Sequence, residues 1–299
     1  MDFIKDLEII AEDMLVHYGV DYSTTASGED IIRMYLNVWF KLIEQQPRQV
    51  IKSSKLQNRI FDYDTQKGLI EIENKFLQGD NLNQHLSKMV LNDGEYPDYL
   101  FFDWGIYHLH LGVQPDTDDY RFVERTGNVL FLIITNDKAY FIDVRPHGKS
   151  EPAAFVRKDL LQIVADESSW LLDRYRLPDV LDVENEINHP EQIKKMRKSG
   201  INTFHMINNK AYFPPGGGLT TNEASIKVAR EYNRLYYMAK NAMKYVTDNR
   251  TEIDRILLQY QEYNPEKANF YLCLGLEGFS IVEQQTKALF YLKDIGLIQ

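Results

Sequence analysis

Ile106-Tyr-His-Leu-His-Leu111, Val129-Leu-Phe-Leu-Ile-Ile-Thr135 and Lys138-Ala-Tyr-Phe-Ile-Asp-Val144 are the stretches whose reading decides the fold class. The first alternates with a period of two, the spacing of a strand with one face turned to a core. The second is a β-branched apolar run. Asn136-Asp137 is a turn too short for a crossover, so the third must return antiparallel beside it. These segments predict a small antiparallel sheet near the middle of the chain.

Outward from the sheet the pattern is helical. Phe3–Tyr18 is amphipathic and closed by Gly19, a glycine C-cap. Ser27-Gly-Glu-Asp30 reads as a capping box that opens a helix to Gln46, before Pro47, with Ile32, Leu36, Trp39, Phe40 and Ile43 as its core stripe. Leu69–Leu77 and Leu82–Leu91 read as two short helices, the second capped by Asp80. Helices are also expected over Arg157–Ala165 and over His189–Ser199, with Pro190 in its first turn. Asn202–Ile207 and Lys210–Phe213 form a hairpin around Asn208-Asn209. A long helix from near Asn222 breaks near Asp248-Asn249 and resumes to Tyr260, and strands follow over Phe270–Leu276 and Phe279–Val282. Phe131–Phe141 and Phe204–Phe213 echo each other as hairpins built alike. The expectation is α+β: a helical N-terminal region (1–67), a central α+β module (68–167) and a C-terminal helix-plus-strand region (168–299).

At 299 residues, with 44% hydrophobic and 26% charged side chains, the chain has the composition of an ordinary globular protein able to bury a large core. Its apolar runs fall short of the roughly 20 residues of a membrane span. The start, Met1-Asp-Phe-Ile-Lys-Asp, carries acids where a secretory signal carries bases. A single cysteine, Cys273, excludes an internal disulfide and a Cys-based zinc cluster. A cytoplasmic protein without a membrane partner is the expectation. The net charge of −10 is unevenly spread: between Lys194 and Lys240 nine Lys/Arg face two acids, so this segment is +7 and the rest −17. Such polarity fits a localised phosphate-facing surface, and equally a solvated helix face.

Three of the seven histidines fall within 40 residues: His108 and His110 on one strand face, and His147 in Arg145-Pro-His-Gly-Lys149. Two chemistries are open. His-x-His with a distant third His is a zinc or iron arrangement, to which Asp103 or Asp143 would add a carboxylate. Alternatively, imidazoles move protons in metal-free RNA cleavage while Arg125, Arg145, Lys149 and Arg157 hold the phosphate and Tyr107 or Tyr140 stacks on a base. Pro214-Pro-Gly-Gly-Gly-Leu-Thr-Thr-Asn222 lies inside the basic segment. Its glycines leave backbone N–H groups able to approach an anion, and it lacks the Gly-Lys-Ser/Thr of a P-loop. Lys194, Lys195, Arg197, Lys198, Lys210, Tyr212, Gly216, Gly217, Gly218, Lys227 and Arg230 are therefore the candidate nucleic-acid-binding set.

The order of two short helices, a strand, a loop and two strands with a basic, His-bearing end resembles the RelE/ParE toxin superfamily, in particular its RelE- and YoeB-like ribonuclease branches, between about residues 68 and 160. In that likeness Ile106–Leu111 matches the first strand, Arg125–Ile134 the second and Ala139–His147 the third. The resemblance implies a RelE-like sheet and an endoribonuclease active in growth arrest or phage defence. It implies catalytic roles for His108, His110, Arg125 and His147, to which the phosphate-holding Arg145 and Lys149 add the rest of the candidate catalytic set, and no metal or other cofactor. RNA, free or on the ribosome, and a protein inhibitor or trigger would be its partners. The other readings are a metal-dependent His-x-His…His enzyme and a non-catalytic binding or regulatory module.

Overall fold

The structure, a computed structural model, describes residues 1–23, 25–148, 151, 153–180, 187–221 and 224–297. Among these the chain is mixed α+β with three small sheets. In chain order the elements begin with α1 (Phe3–Tyr18), α2 (Gly28–Trp39), β1 (Gln49–Lys52), α3 (Ser54–Gln57), α4 (Tyr63–Gln78), α5 (Met89–Asn92) and α6 (Tyr99–Trp104). Then come β2 (Tyr107–His110), β3 (Asn128–Ile134), β4 (Lys138–Pro146), α7 (Asp159–Glu167), β5 (Arg176–Leu177) and α8 (Pro190–Lys198). The chain ends with β6 (His205–Ile207), β7 (Lys210–Tyr212), α9 (Ile226–Asp248), α10 (Arg250–Leu257), β8 (Phe270–Gly275), β9 (Gly278–Glu283) and β10 (Leu289–Tyr291). No helix of the described residues is long and apolar enough to cross a membrane.

These elements form two compact units, each assembled from separated segments: residues 1–39, 91–95 and 228–299, and residues 40–90 and 96–227. The sequence boundaries at 67/68 and 167/168 thus both fall inside the second unit. In the first unit, Asp2 caps α1 by accepting from the amides of Ile4 and Lys5, and Ser27 Oγ accepts from Asp30 N at 3.2 Å to open α2. The Asp6 carboxylate accepts from the amide of Leu272 at 2.8 Å and ties α1 to β8 of the sheet β10-β9-β8. Helix α2 stops at Trp39, short of the expected Gln46. Ile32 and Leu36 are buried as expected, but Trp39 is 45% exposed.

The second unit carries the central sheet, in the order β1-β4-β3-β2. The three expected strands are antiparallel neighbours, and a bulge at Phe131/Leu132 shifts the register of β3 on β4. Thr135 N donates to Lys138 O at 2.8 Å and closes the Asn136-Asp137 turn. The β6–β7 hairpin is closed differently: Asn208 and Asn209 both have positive φ, 50° and 57°, so the two echoing hairpins turn by different geometries. Strand β1 was not expected. It pairs parallel with β4, Val50 opposite Ala139. One sheet face packs on α4, with the Phe76 and Phe141 rings 5.7 Å apart, and Gly68 lets the helix close on β2's end: a Cβ there would stand 1.9 Å from Leu111 O. The other face buries Ile106, Val129, Phe131 and Ile142 with Leu160, Leu161 and Val164 of α7. Full burial of each such side chain contributes about 1.5–3 kcal/mol.

The expected 82–91 helix does not form. Asn83–His85 is one 3-10 turn, Leu86 is extended, and α5 adds one more turn, with no Asp80 cap. This break lets His85 turn under the sheet, where it bonds to the His110 carbonyl.

Candidate functional site

Because strand side chains alternate, β2 turns His108 and His110 to one face, their ring centroids 6.3 Å apart. His147 follows β4, on the far side of β3, a gap of about 10 Å at two strand spacings. It crosses that gap by folding over Gly127: its amide donates to Gly127 O at 3.2 Å and its Nδ1 at 3.1 Å. The His147 and His110 rings end 5.0 Å apart. Arg125, just before β3, points Nη1 at His110 Nε2. Phe155 covers the group, 4.8 Å from the His108 ring and 6.2 Å from that of His147. Three imidazoles and one guanidinium, from three separate segments, therefore share one cluster.

The hydrogen bonds fix tautomers. A guanidinium can only donate, so His110 Nε2 accepts and its proton sits on Nδ1, which is buried without a partner among the described residues. A buried N–H without an acceptor costs about 1–3 kcal/mol. A carbonyl can only accept, so His147 Nδ1 carries its proton towards Gly127, and in the neutral ring Nε2 has the lone pair. His108 Nδ1 lies 3.7 Å from Asp98 Oδ2, beyond hydrogen-bond reach. Burial, joined by the charge of Arg125, lowers His110 to about 2. Burial also lowers His108, against the opposing pull of Asp98. Both rings are neutral at pH 7, and His147 is the one imidazole of the three that is not buried.

His85, which sequence reasoning missed, backs the cluster from below. Its Nδ1 donates to His110 O at 2.9 Å, and Lys75 Nζ donates to its Nε2 at 3.1 Å. Burial, with Lys75 adding to it, lowers His85 to about 4. Asp98, the N-cap of α6, and Phe155 were also missed; neither sits in a motif that would mark it. The buried neutral rings make stability pH-dependent. A folded-state value below the ordinary one of about 6.5 contributes stability that is complete above that pH and is lost as pH falls through it. For His85 the loss runs from about 6.5 to about 4 and for His110 from about 6.5 to about 2. Urea titrations at pH 7.5 and 5.0 should show lower stability at pH 5.0, by up to about 1.4 kcal/mol per pH unit for each such ring. A level profile across that interval would show that these rings are not held neutral.

The other candidates divide. Arg145 is buried between two carboxylates, Nε to Asp143 at 2.8 Å and Nη1 to Asp159 at 2.9 Å, so it ties β4 to α7. Burial alone would raise Asp143, but Arg145 and Lys55 outweigh it and hold the carboxyl below its usual range. Arg157, on the chain before α7, donates to Asp159 at 3.3 Å. Lys149 lies outside the described residues. Among the described residues no group of three His, Cys, Asp or Glu side chains is arranged to hold a metal ion. Asp143 is taken by Lys55, Arg59 and Arg145, and Asp103 by Arg197.

The candidates of the basic segment differ in exposure. Lys194, Lys195, Lys198 and Lys210 are exposed, but Arg197 is buried and paired with Asp103, and Tyr212 is core. Arg230 is exposed in the first unit, whereas the other ten belong to the second. The amides of the three glycines are hydrogen-bonded within the fold. Gly216 N donates to Asp103 O at 2.7 Å and Gly218 N to Phe102 O at 2.9 Å, so the loop satisfies the carbonyls at the end of α6. A Cβ on Gly216 would stand 2.3 Å from Phe101 O, and Gly217 and Gly218 hold φ of +102° and +89°. The glycines are required for this close packing. The following helix starts at Ile226, later than expected, and Asn222 lies outside the described residues. Compared with known proteins, the sequence matches no family model, and neither a curated protein nor a solved structure matches it significantly.

Proposed function

We propose that this chain is a metal-free endoribonuclease, as its resemblance to the RelE- and YoeB-like toxins implies. The observation that carries the reading is the meeting of His147 with the His110–Arg125 pair, 5.0 Å between the two rings. His147 Nε2 takes the proton of a ribose 2′-OH as that oxygen attacks the adjacent phosphorus. The bond from phosphorus to the 5′-oxygen breaks, and the protonated imidazole returns the proton to the leaving oxygen. Arg125 faces the charge that builds on the phosphoryl oxygens. His110, whose lone pair is engaged by Arg125, positions that guanidinium and does not itself transfer a proton. His108 packs beneath Phe155 and supports His110. Arg145 is assigned to the scaffold, and a growth-arrest or phage-defence setting follows from the resemblance.

The test is incubation with single-stranded RNA, with and without ribosomes, in the presence of EDTA. Products should carry 2′,3′-cyclic phosphate and 5′-hydroxyl ends, because the 2′-oxygen is the nucleophile. Cleavage that EDTA abolishes and Zn²⁺ or Mn²⁺ restores would replace this reading with the metal enzyme. No cleavage under any of these conditions would leave a non-catalytic module.

A further inference from the structure

Strand β2 begins at Tyr107, opposite Leu132, so Ile133 and Ile134 of β3 have no strand partner on that side among the described residues. A cleft of about 570 Å³ opens there, at the other end of β2 from His110. That volume lies within the roughly 300–1,000 Å³ of small-molecule sites. Its walls combine aromatic surface with positive charge: Trp170, Tyr175 and Tyr107 line it together with Arg174 and Lys227. Trp170 is 47% exposed, so its indole is available to a ligand. Neither Arg174 nor Lys227 has a carboxylate partner among the described residues, whereas Asp137, the one acid lining the cleft, is paired with Lys138 at 2.8 Å. Lys227 is held with its ammonium 5.3 Å from the centre of the Phe101 ring. Burial and the charge of Arg174 lower its affinity for a proton, as expected of a cation kept from water without a counter-ion. Two unpaired cations beside aromatic faces, with an open strand edge able to hydrogen-bond, call for a ligand that is planar at one end and anionic at the other.

We propose that this cleft binds a nucleoside monophosphate unit, its phosphate between Lys227 and Arg174 and its base against Trp170 and Tyr175. A charge-assisted contact fixes the phosphate, stacking accepts any base, and the unpaired edge of β3 offers backbone groups to the base. The unit is a free nucleotide or the phosphorylated end of an RNA strand. This site does not rest on the histidine cluster.

Calorimetric titration of the whole chain with AMP, GMP, CMP and UMP tests it, with adenosine and inorganic phosphate as controls. At least one nucleotide should bind below about 1 mM, with adenosine and phosphate each at least about tenfold weaker, as expected when both ends contribute. Lys227→Gln and Arg174→Gln should each weaken binding about tenfold or more; the exposed position of Arg174 makes its variant safe for folding. His147→Ala should bind as the parent does, which separates this result from any failure of RNA cleavage. A 5′-phosphorylated RNA tetramer that binds tighter than AMP identifies a strand end as the ligand, and the reverse order a free nucleotide; both support the site. No binding by any of the four at about 5 mM, well above the expected affinity, would overturn it. Affinity unchanged in both cation variants, or adenosine equal to AMP, would do the same.

Discussion

His147→Ala should lower RNA cleavage by roughly 10²- to 10⁴-fold, the usual contribution of a positioned proton-transfer group. Stability should move by less than about 1 kcal/mol, since the ring is not buried and the backbone bond from residue 147 to Gly127 survives the change. His110→Ala should behave differently. It removes a ring that is 2% exposed and leaves Arg125 without its acceptor, so activity and stability fall together. Because His108 and His110 are neutral at pH 7, neither supplies a proton there. His147→Gln keeps the size of the ring but has no basic nitrogen, and should be as inactive as His147→Ala. A His147→Ala protein that cleaves at the parental rate, measured on purified protein with product ends checked, would remove the proton-transfer role from this residue and with it the mechanism.

The residues that sequence reasoning placed well are those whose partners are near in sequence. Period two in Ile106–Leu111 and the β-branched run Val129–Thr135 gave β2 and β3, and Asn136-Asp137 gave their neighbour β4. The same alternation brought His108 and His110 to one face, and the strand ends brought His147 to them. What was missed depends on distant partners. Gln49–Lys52 follows closely on Pro47 with little apolar pattern, and it becomes a strand only because β4 offers a free edge. The apolar spacing of Leu82–Leu91 suits a helix, yet the bond from His85 to His110 O requires the chain to break there. The three glycines read as freedom to hold a ligand, whereas the carbonyls of Phe101 and Phe102 fill the space a side chain on Gly216 would need. One signal was legible: Arg197 stands four residues after the buried Ile193, on the same helix face, so a core-facing arginine could have been read from the spacing.

Arg197→Ala should cost about 3–5 kcal/mol of stability, the loss typical when one member of a buried ion pair is removed and the other charge is stranded. Arg197 is 3% exposed. Its Nε donates to Asp103 at 2.7 Å and its Nη1 to Phe155 O at 2.6 Å, while the guanidinium lies 4.4 Å from the centre of the Trp104 ring. One side chain thus joins α8, α6 and the turn that presents Phe155 to the histidines, so its loss should also lower cleavage through the loosened cover. A double variant, Arg197→Met with Asp103→Leu, removes both charges and should recover most of the stability, because an apolar pair of similar volume replaces the buried ions. The exposed lysines give the contrasting result. Changing Lys194, Lys195 and Lys198 to Gln should leave stability within about 0.5 kcal/mol per site. If these lysines meet phosphates, the same change should reduce the salt dependence of RNA binding by about 0.7 in slope for each phosphate no longer neutralised. Urea unfolding of Arg197→Ala, set beside its RNA binding at two salt concentrations, decides between the two roles. Parental stability with a reduced salt slope would return Arg197 to the phosphate-facing set, whereas lost stability recovered in the double variant would establish it as the tie between α6 and α8.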